Sequence, residues 1–233
     1  MKQAFITGGA RGIGFGIAQA LLAAGYSVTV TGLTTEEVAA VPVLPHLTAI
    51  PLDVSDDGAV RDAVAGFARL DALVNCAGMI LRGDQEFTIA GFQKVIDVNL
   101  TGTMRMCMAA HPLLVASRGA IVNIASVWAF LGGALTPAYT ASKGGVVQLT
   151  KALAVAWAPD VRVNAIAPGW IETELTAGAR ADPVRDAAII ARTPMGRWGK
   201  PEDIGGVAAF LCSPEACFIT GTVIAADGGY LAK

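Results

Sequence analysis

Seven short runs rich in β-branched and other apolar residues, 3–7, 27–31, 47–52, 72–75, 120–125, 162–166 and 222–225, recur along the chain with helix-compatible stretches between them. That alternation leaves few folds open. Strands joined through helices must cross over, and crossovers build a parallel sheet with helices on both faces. Ala120-Ile121-Val122 is apolar at consecutive positions, which suits a strand covered on both sides. Helices are predicted over 13–24, after a glycine turn; over 56–68, with acidic residues at its start; over 91–114; and over 137–157, which opens on proline. The expectation is a doubly wound α/β sheet of about seven strands. Residues 169–193 break the rhythm, with Gly178, Pro183 and Pro194 around two short helical patterns. Loops beyond the carboxyl ends of parallel strands hold ligands in such folds, so this excursion reads as a substrate cover, the alternative being a surface insertion.

At 233 residues, 54% hydrophobic and 15% charged, the chain can bury one large core, and a single domain over 1–233 is expected. Seventeen basic against nineteen acidic side chains leave a formal charge of −2, with no cation excess to neutralise a nucleic-acid backbone. Cys76, Cys107, Cys212 and Cys217 lack CxxC spacing, and His46 and His111 lie far from them in sequence, so neither a metal site nor a disulfide scaffold is expected. Residues 12–35 and 119–142 carry no charge over more than a bilayer span. Gln19 and Gly25 interrupt the first, and Asn123, Gly132, Gly133 and Pro137 the second, so each reads as a strand and a helix rather than a membrane segment. With no leader-like pattern in Met1-Lys2-Gln3-Ala4-Phe5, a cytoplasmic location is the default.

The first strand runs into Thr7-Gly8-Gly9-Ala10-Arg11-Gly12-Ile13-Gly14 and then a helix. Glycines at a strand-to-helix turn let the backbone approach a diphosphate, whose charge is favoured at the helix N-terminus, although such a turn also occurs without a ligand. In this context the segment resembles the TGxxxGIG signature of the short-chain dehydrogenase/reductase family. Asp53-Val54 and Asn75-Cys76-Ala77-Gly78 resemble the family's adenine-contacting pair and its NNAG motif, with Cys76 in place of the second asparagine. The resemblance implies a Rossmann-type sheet and a dinucleotide held by Gly8, Arg11, Gly12, Ile13 and Gly14. It further implies that Asp53 bonds the adenine amino group beside Val54, Asn75, Ala77 and Gly78. Apart from the family, Asp53 reads equally as a cap for the helix near Asp56. The adenosine ribose would meet Gly32 and Leu33. NAD-preferring relatives carry an aspartate at the first position and NADP-preferring ones a basic residue at the second or at Arg11. Here only Arg11 is present, and Glu36 and Glu37 stand just beyond, which tips the expectation between NAD and NADP toward NAD.

Tyr139 and Lys143 are spaced i, i+4 in a predicted helix, on one face. A phenol near pKa 10 is a poor base at neutral pH, and a neighbouring ammonium would lower that value. Ser126, after a strand, can donate to an oxygen that changes charge, and Asn99 can hold a water at a helix irregularity. A YxxxK pair alone describes many helix surfaces. The thirteen-residue spacing from Ser126 to Tyr139, Asn99 within Val98-Asn99-Leu100, and Pro168-Gly169 followed by Thr173 extend the family resemblance to the chemistry. It implies that Tyr139 exchanges the substrate proton, that Lys143 also bonds the nicotinamide ribose, and that Asn99 places a water linking Lys143 to solvent. Pro168, Gly169, Ile171 and Thr173 would meet the nicotinamide.

Residues expected around the reacting oxygen are Trp128, Phe130 and Trp170, read either as pocket walls or as core, with 79–82 and the cover. NCAGMILRGDQEF, GRWGKPEDI and TVIAADGGYLAK resemble family members that oxidise sugar acids or reduce keto-sugar acids, and 3-oxoacyl-carrier-protein reductases nearly as closely. A small-molecule hydride transfer is therefore expected. A dinucleotide-sensing regulator is the non-enzymatic alternative, which loss of Tyr139 or Lys143 would have favoured. The apolar helices 91–114 and 137–157, together with Tyr230-Leu231-Ala232, suggest a homotetramer.

Overall fold

The seven expected runs all form strands in the computed structural model, which describes residues Met1–Lys233: β1 (Lys2–Thr7), β2 (Tyr26–Gly32), β3 (Leu47–Pro51), β4 (Ala72–Asn75), β5 (Ala120–Ile124), β6 (Arg162–Pro168) and β7 (Val223–Ala226). They make one all-parallel sheet in the order β3-β2-β1-β4-β5-β6-β7. The winding reverses at β1, where Ile6 lies opposite Val30 on one side and Thr7 opposite Asn75 on the other. A crevice opens at the carboxyl ends of strands where such a reversal occurs.

Nine α-helices fill the connections: α1 (Gly12–Ala23), α2 (Thr35–Ala39), α3 (Asp57–Ala65), α4 (Ile89–Ile96), α5 (Gly102–Ser117), α6 (Pro137–Trp157), α7 (Ala177–Arg180), α8 (Pro183–Arg192) and α9 (Pro201–Cys212). On one face of the sheet, Ile17 and Leu21 of α1 pack with Ile204 and Leu211 of α9 against Val28 and Val74. On the other, Val60 of α3, Leu114 of α5 and Leu153 of α6 close over Phe5, Leu73 and Ile121. Burial of such side chains contributes roughly 1.5–3 kcal/mol each. No helix is long and apolar enough to cross a membrane.

Two features depart from the sequence reading. The long helix expected over 91–114 is two helices joined by a π-helical turn, Asp97–Thr101, with Asn99 at its centre. A π turn inserts one residue while the backbone stays helical, so no cap or turn separates the two helices. The second feature is α9, which the sequence reading did not include although its start is well marked. Pro201 occupies the first turn, and Asp203 accepts the Lys200 amide at 2.7 Å.

Candidate active site

Between β1 and α1 the chain turns in residues 8–11, and Gly12 follows at φ +54°. A Cβ on Gly14 would lie 2.3 Å from the Gly8 carbonyl oxygen, so only glycine lets the helix start this close to the turn. Arg11 is the N-cap of α1 yet offers it no side-chain bond, which leaves the first helical amides free for an anion. The Thr7 hydroxyl accepts the amides of Cys76 and Ala77 at 3.2 and 3.1 Å, holding the end of β4 beside the turn. A turn packed too closely for side chains at Gly8, Gly9 and Gly14, at a helix start with no side-chain cap, fits a dinucleotide diphosphate. Thr173 borders it, since a Cβ on Gly12 would meet its methyl at 3.2 Å. Asp53 does not cap a helix. Its Oδ1 accepts the amide and hydroxyl of Ser55 at 2.8 and 2.7 Å, while Asp56 caps α3 through the Ala59 amide at 3.0 Å.

At the other end of the crevice, α6 carries Tyr139 and Lys143 past the end of β5. Lys143 Nζ lies 5.6 Å from the Tyr139 ring centroid and donates to the Ile124 carbonyl at 2.7 Å. Ser126 Oγ accepts the Trp128 amide at 3.2 Å, which starts a 3₁₀ turn over Val127–Ala129. Asn99 is buried, and its carboxamide is engaged by protein groups: it donates to the Met79 carbonyl and Ser142 Oγ at 2.9 and 3.0 Å and accepts the Met79 amide at 2.8 Å. A Cβ on Gly78 would stand 3.4 Å from Asn99 Oδ1 and 3.6 Å from Lys143 Nζ, so both groups flank one backbone atom.

Burial, more than charge pairing, sets the two titrating groups. It pushes the Tyr139 phenol up to about 12, with the Ser126 hydroxyl pulling down and Cys76 and Glu86 adding to the rise. Lys143 is itself pushed down to about 8 by burial, opposed by Cys76. The ammonium-driven fall expected for Tyr139 is thus replaced by a rise, because desolvation of the phenolate is the larger effect. Cys76 is held as an inert thiol, pushed up to about 11 by burial.

One cavity of about 1190 Å³ connects both ends, reaching from Gly8, Arg11, Gly12, Ile13 and Gly14 to Ser126, Tyr139 and Lys143. It exceeds the usual volume for one small ligand, roughly 300–1,000 Å³. Gly78, Arg82, Trp128, Pro168, Gly169, Trp170, Ile171 and Thr173 are in its wall, and the cover adds Arg180 and Arg185. Trp170 meets Trp128 and Trp198 edge-on at 6.1 and 5.6 Å, and its buried indole N–H has no hydrogen-bond partner. Phe130 is not in the wall and is 52% exposed. The 3₁₀ turn advances about 120° per residue, so two steps beyond Trp128 the ring has swung out. Gly32, Leu33, Asp53, Val54, Asn75 and Ala77 also lie outside this wall, around the carboxyl ends of β2, β3 and β4.

A family profile described as enoyl-(acyl carrier protein) reductase matches residues 8–231. The chain belongs to the short-chain dehydrogenase/reductase family. It is 40% identical to the 2-dehydro-3-deoxy-D-gluconate 5-dehydrogenase of Bacillus subtilis over 242 residues, covering 100% of this chain and 95% of that one. It is 36% identical to a 3-oxoacyl-[acyl-carrier-protein] reductase of Chlamydia pneumoniae, covering 98% and 96%. Among solved structures, a gluconate 5-dehydrogenase of Burkholderia cenocepacia in complex with NADP and tartrate superposes with a TM-score of 0.92 at 31% identity, covering 100% of this chain and 96% of that one.

Within this short-chain dehydrogenase/reductase the sequence reading missed how two carboxylates are used. Glu37 Oε2 accepts the Leu33 amide at 2.7 Å and its Oε1 pairs with Arg11 at 3.0 Å, so α2 delivers an acid to the end of β2. A second ion pair, to Glu174, fastens Arg11 to the cover. Glu86 is buried beside α6, bonding the amides of Leu81 and Tyr139. The signal for Glu37 was its place three residues after Thr34, which caps α2; for the link from Glu86 to Tyr139 no local signal exists, because the two lie 53 residues apart.

Proposed function

We propose that this short-chain dehydrogenase/reductase transfers a hydride between NAD or NADP and a secondary alcohol or ketone of a sugar acid. The observation that carries the reading is that Ser126, Tyr139 and Lys143 share one cavity with the glycine turn. When bound, the nicotinamide supplies or takes up the hydride. Tyr139 accepts the alcohol proton in oxidation and donates it to the new alkoxide in reduction. Its raised pKa keeps the phenol protonated at neutral pH, so the acid needed for reduction is already in place. Ser126 donates to the substrate oxygen, Lys143 holds the nicotinamide ribose, and Asn99 fixes the Met79 segment and the water leading from Lys143. Gly8, Arg11, Gly12, Ile13 and Gly14 receive the diphosphate; Asp53, Val54, Asn75, Ala77 and Gly78 the adenosine side; Pro168, Gly169, Ile171 and Thr173 the nicotinamide.

A carboxylate-bearing substrate is supported by the sugar-acid dehydrogenases among the relatives and by Arg185 in the cavity wall, where Arg180 already pairs with Glu172 and Arg82 donates to the Leu175 carbonyl. Trp128 and Trp170 supply apolar walls. A carrier-protein substrate is less well supported, given the net charge of −2 and the lower identity. We assign one domain over 1–233, with 169–193 as substrate cover, NAD as the preferred dinucleotide, and the cytoplasm as compartment, where four unpaired cysteines are at home. The test follows absorbance of reduced nicotinamide with NAD and NADP in parallel, against 2-dehydro-3-deoxygluconate, gluconate and 3-oxoacyl thioesters. Turnover with a sugar acid is expected. Turnover confined to thioesters would establish the carrier-protein alternative, and dinucleotide binding with no turnover the sensing one.

A further inference from the structure

Glu86 sits in a 3₁₀ turn, Gly83–Phe87, and is 1% exposed. A buried carboxylate is costly unless its oxygens are bonded. Here Oε1 accepts the amide of Leu81 and Oε2 the amide of Tyr139, each at 3.0 Å, and no basic side chain pairs with it. Tyr139 is the third residue of α6, whose N-cap residue Thr136 gives no side-chain bond. A residue remote in sequence therefore supplies the missing cap, at a helix end whose dipole favours an anion. The other amide belongs to the segment 79–82, whose Ile80, Leu81 and Arg82 wall the cavity and whose Met79 is held by Asn99.

We propose that Glu86 is a positioning residue, locking the Tyr139 end of α6 and the cavity segment 79–82 into one unit so that phenol and substrate wall keep a fixed relation. The inference rests on the reading of Tyr139 as proton carrier. The choice of a charged cap also has a consequence. The titratable groups facing the phenol are Lys143 on the same helix, Cys76 after β4, and Glu86, with the Ser126 hydroxyl after β5. Of the charged ones only Glu86 is negative, and it opposes phenolate formation.

Two variants separate these roles. Glu86→Asp keeps the charge but is too short to span both amides; it is expected to lower kcat/KM by about 10- to 100-fold with the pH limb of oxidation unmoved. Glu86→Gln keeps the size and loses the charge; its oxidation limb is expected to move to lower pH by less than about one unit, because burial of the phenol outweighs the Glu86 charge. Dinucleotide affinity, measured by fluorescence titration, is expected to stay within about twofold in both, since the glycine turn is untouched, and this reading establishes that each variant is folded. Parent-like kcat/KM in Glu86→Asp would overturn the positioning role, as would an unmoved limb in Glu86→Gln for the charge role. Should either variant fail to fold, amide hydrogen exchange on the parent decides: slow exchange at Tyr139 and Leu81 together is expected, and fast exchange at either refutes the lock. Full activity in Tyr139→Phe would instead refute the proton-carrier reading, whatever Glu86 does.

Discussion

Tyr139 and Lys143 pull in opposite directions at a single site: burial makes the phenol a weaker acid and the ammonium a stronger one. Phenolate, the base for oxidation, is scarce at neutral pH, so the oxidative rate is expected to climb as pH rises from 7 toward 10. Tyr139→Phe removes the transferable proton and little volume; turnover is expected to fall by about 10² to 10⁴ with dinucleotide affinity within a few fold. Lys143 carries a second, thermodynamic prediction. Its folded-state pKa, about 8, lies below the ordinary 10.5, so folding is penalised while the amine is protonated in both states, below about pH 8. As pH rises through 8 to 10.5 the folded state sheds the proton first and the penalty, on the order of 3 kcal/mol, disappears. Lys143→Met is therefore expected to be inactive, and to gain stability over the parent at pH 7 by a margin that shrinks toward pH 10 in urea titrations. Both residues could be chosen once their i, i+4 spacing was set beside Ser126, Asn99 and Pro168-Gly169. The sign of their shifts could not, because it depends on α6 lying over the end of β5, where the Ile124 carbonyl receives Lys143.

The β2–α2 junction shows what a short element can decide. Gly32 lacks the acid that marks NAD preference in relatives, yet a Cβ there would stand 2.8 Å from Glu37 Cβ, so Glu37 already fills the space. By pairing with Arg11 it also withdraws the cation that would have met a 2′-phosphate. Glu37→Ala is expected to raise kcat/KM with NADP relative to NAD by about tenfold, roughly 1.4 kcal/mol, in steady-state kinetics. Gly32→Asp is expected to destabilise the junction rather than sharpen NAD selectivity. At five residues α2 is too short for periodicity to reveal, and α9, with Gly205 and Gly206 at its centre, looks like a loop unless its capped start is weighted. The central strands were legible because they are buried on both faces, as Ala120-Ile121-Val122 and Ala72-Leu73-Val74 illustrate, whereas the edge strands β3 and β7, which contain no fully buried residue, were legible from their β-rich composition between turns.

At the scale of the molecule, most of the apolar surface that suggested assembly is used internally: Met106, Cys107, Val146 and Val147 are buried, and Tyr230 is 5% exposed under the Arg192 guanidinium. Met108, Val155, Ile89 and Phe218 remain exposed. Sedimentation velocity at micromolar concentration tests the homotetramer that the apolar helices suggest in the sequence; a fully active monomer would refute it. The order of the sheet also bears on synthesis. β1 is flanked by β2, about twenty residues on, and by β4, which is not complete until Asn75 has been made. From there the sheet grows outward in chain order, β4, β5, β6 and β7, so each newly made strand pairs with the one before. Until Val223–Ala226 emerge, β6 offers an open edge of buried, apolar backbone. A nascent chain stalled between β6 and β7 would therefore be exposed to edge-to-edge aggregation and in need of a chaperone.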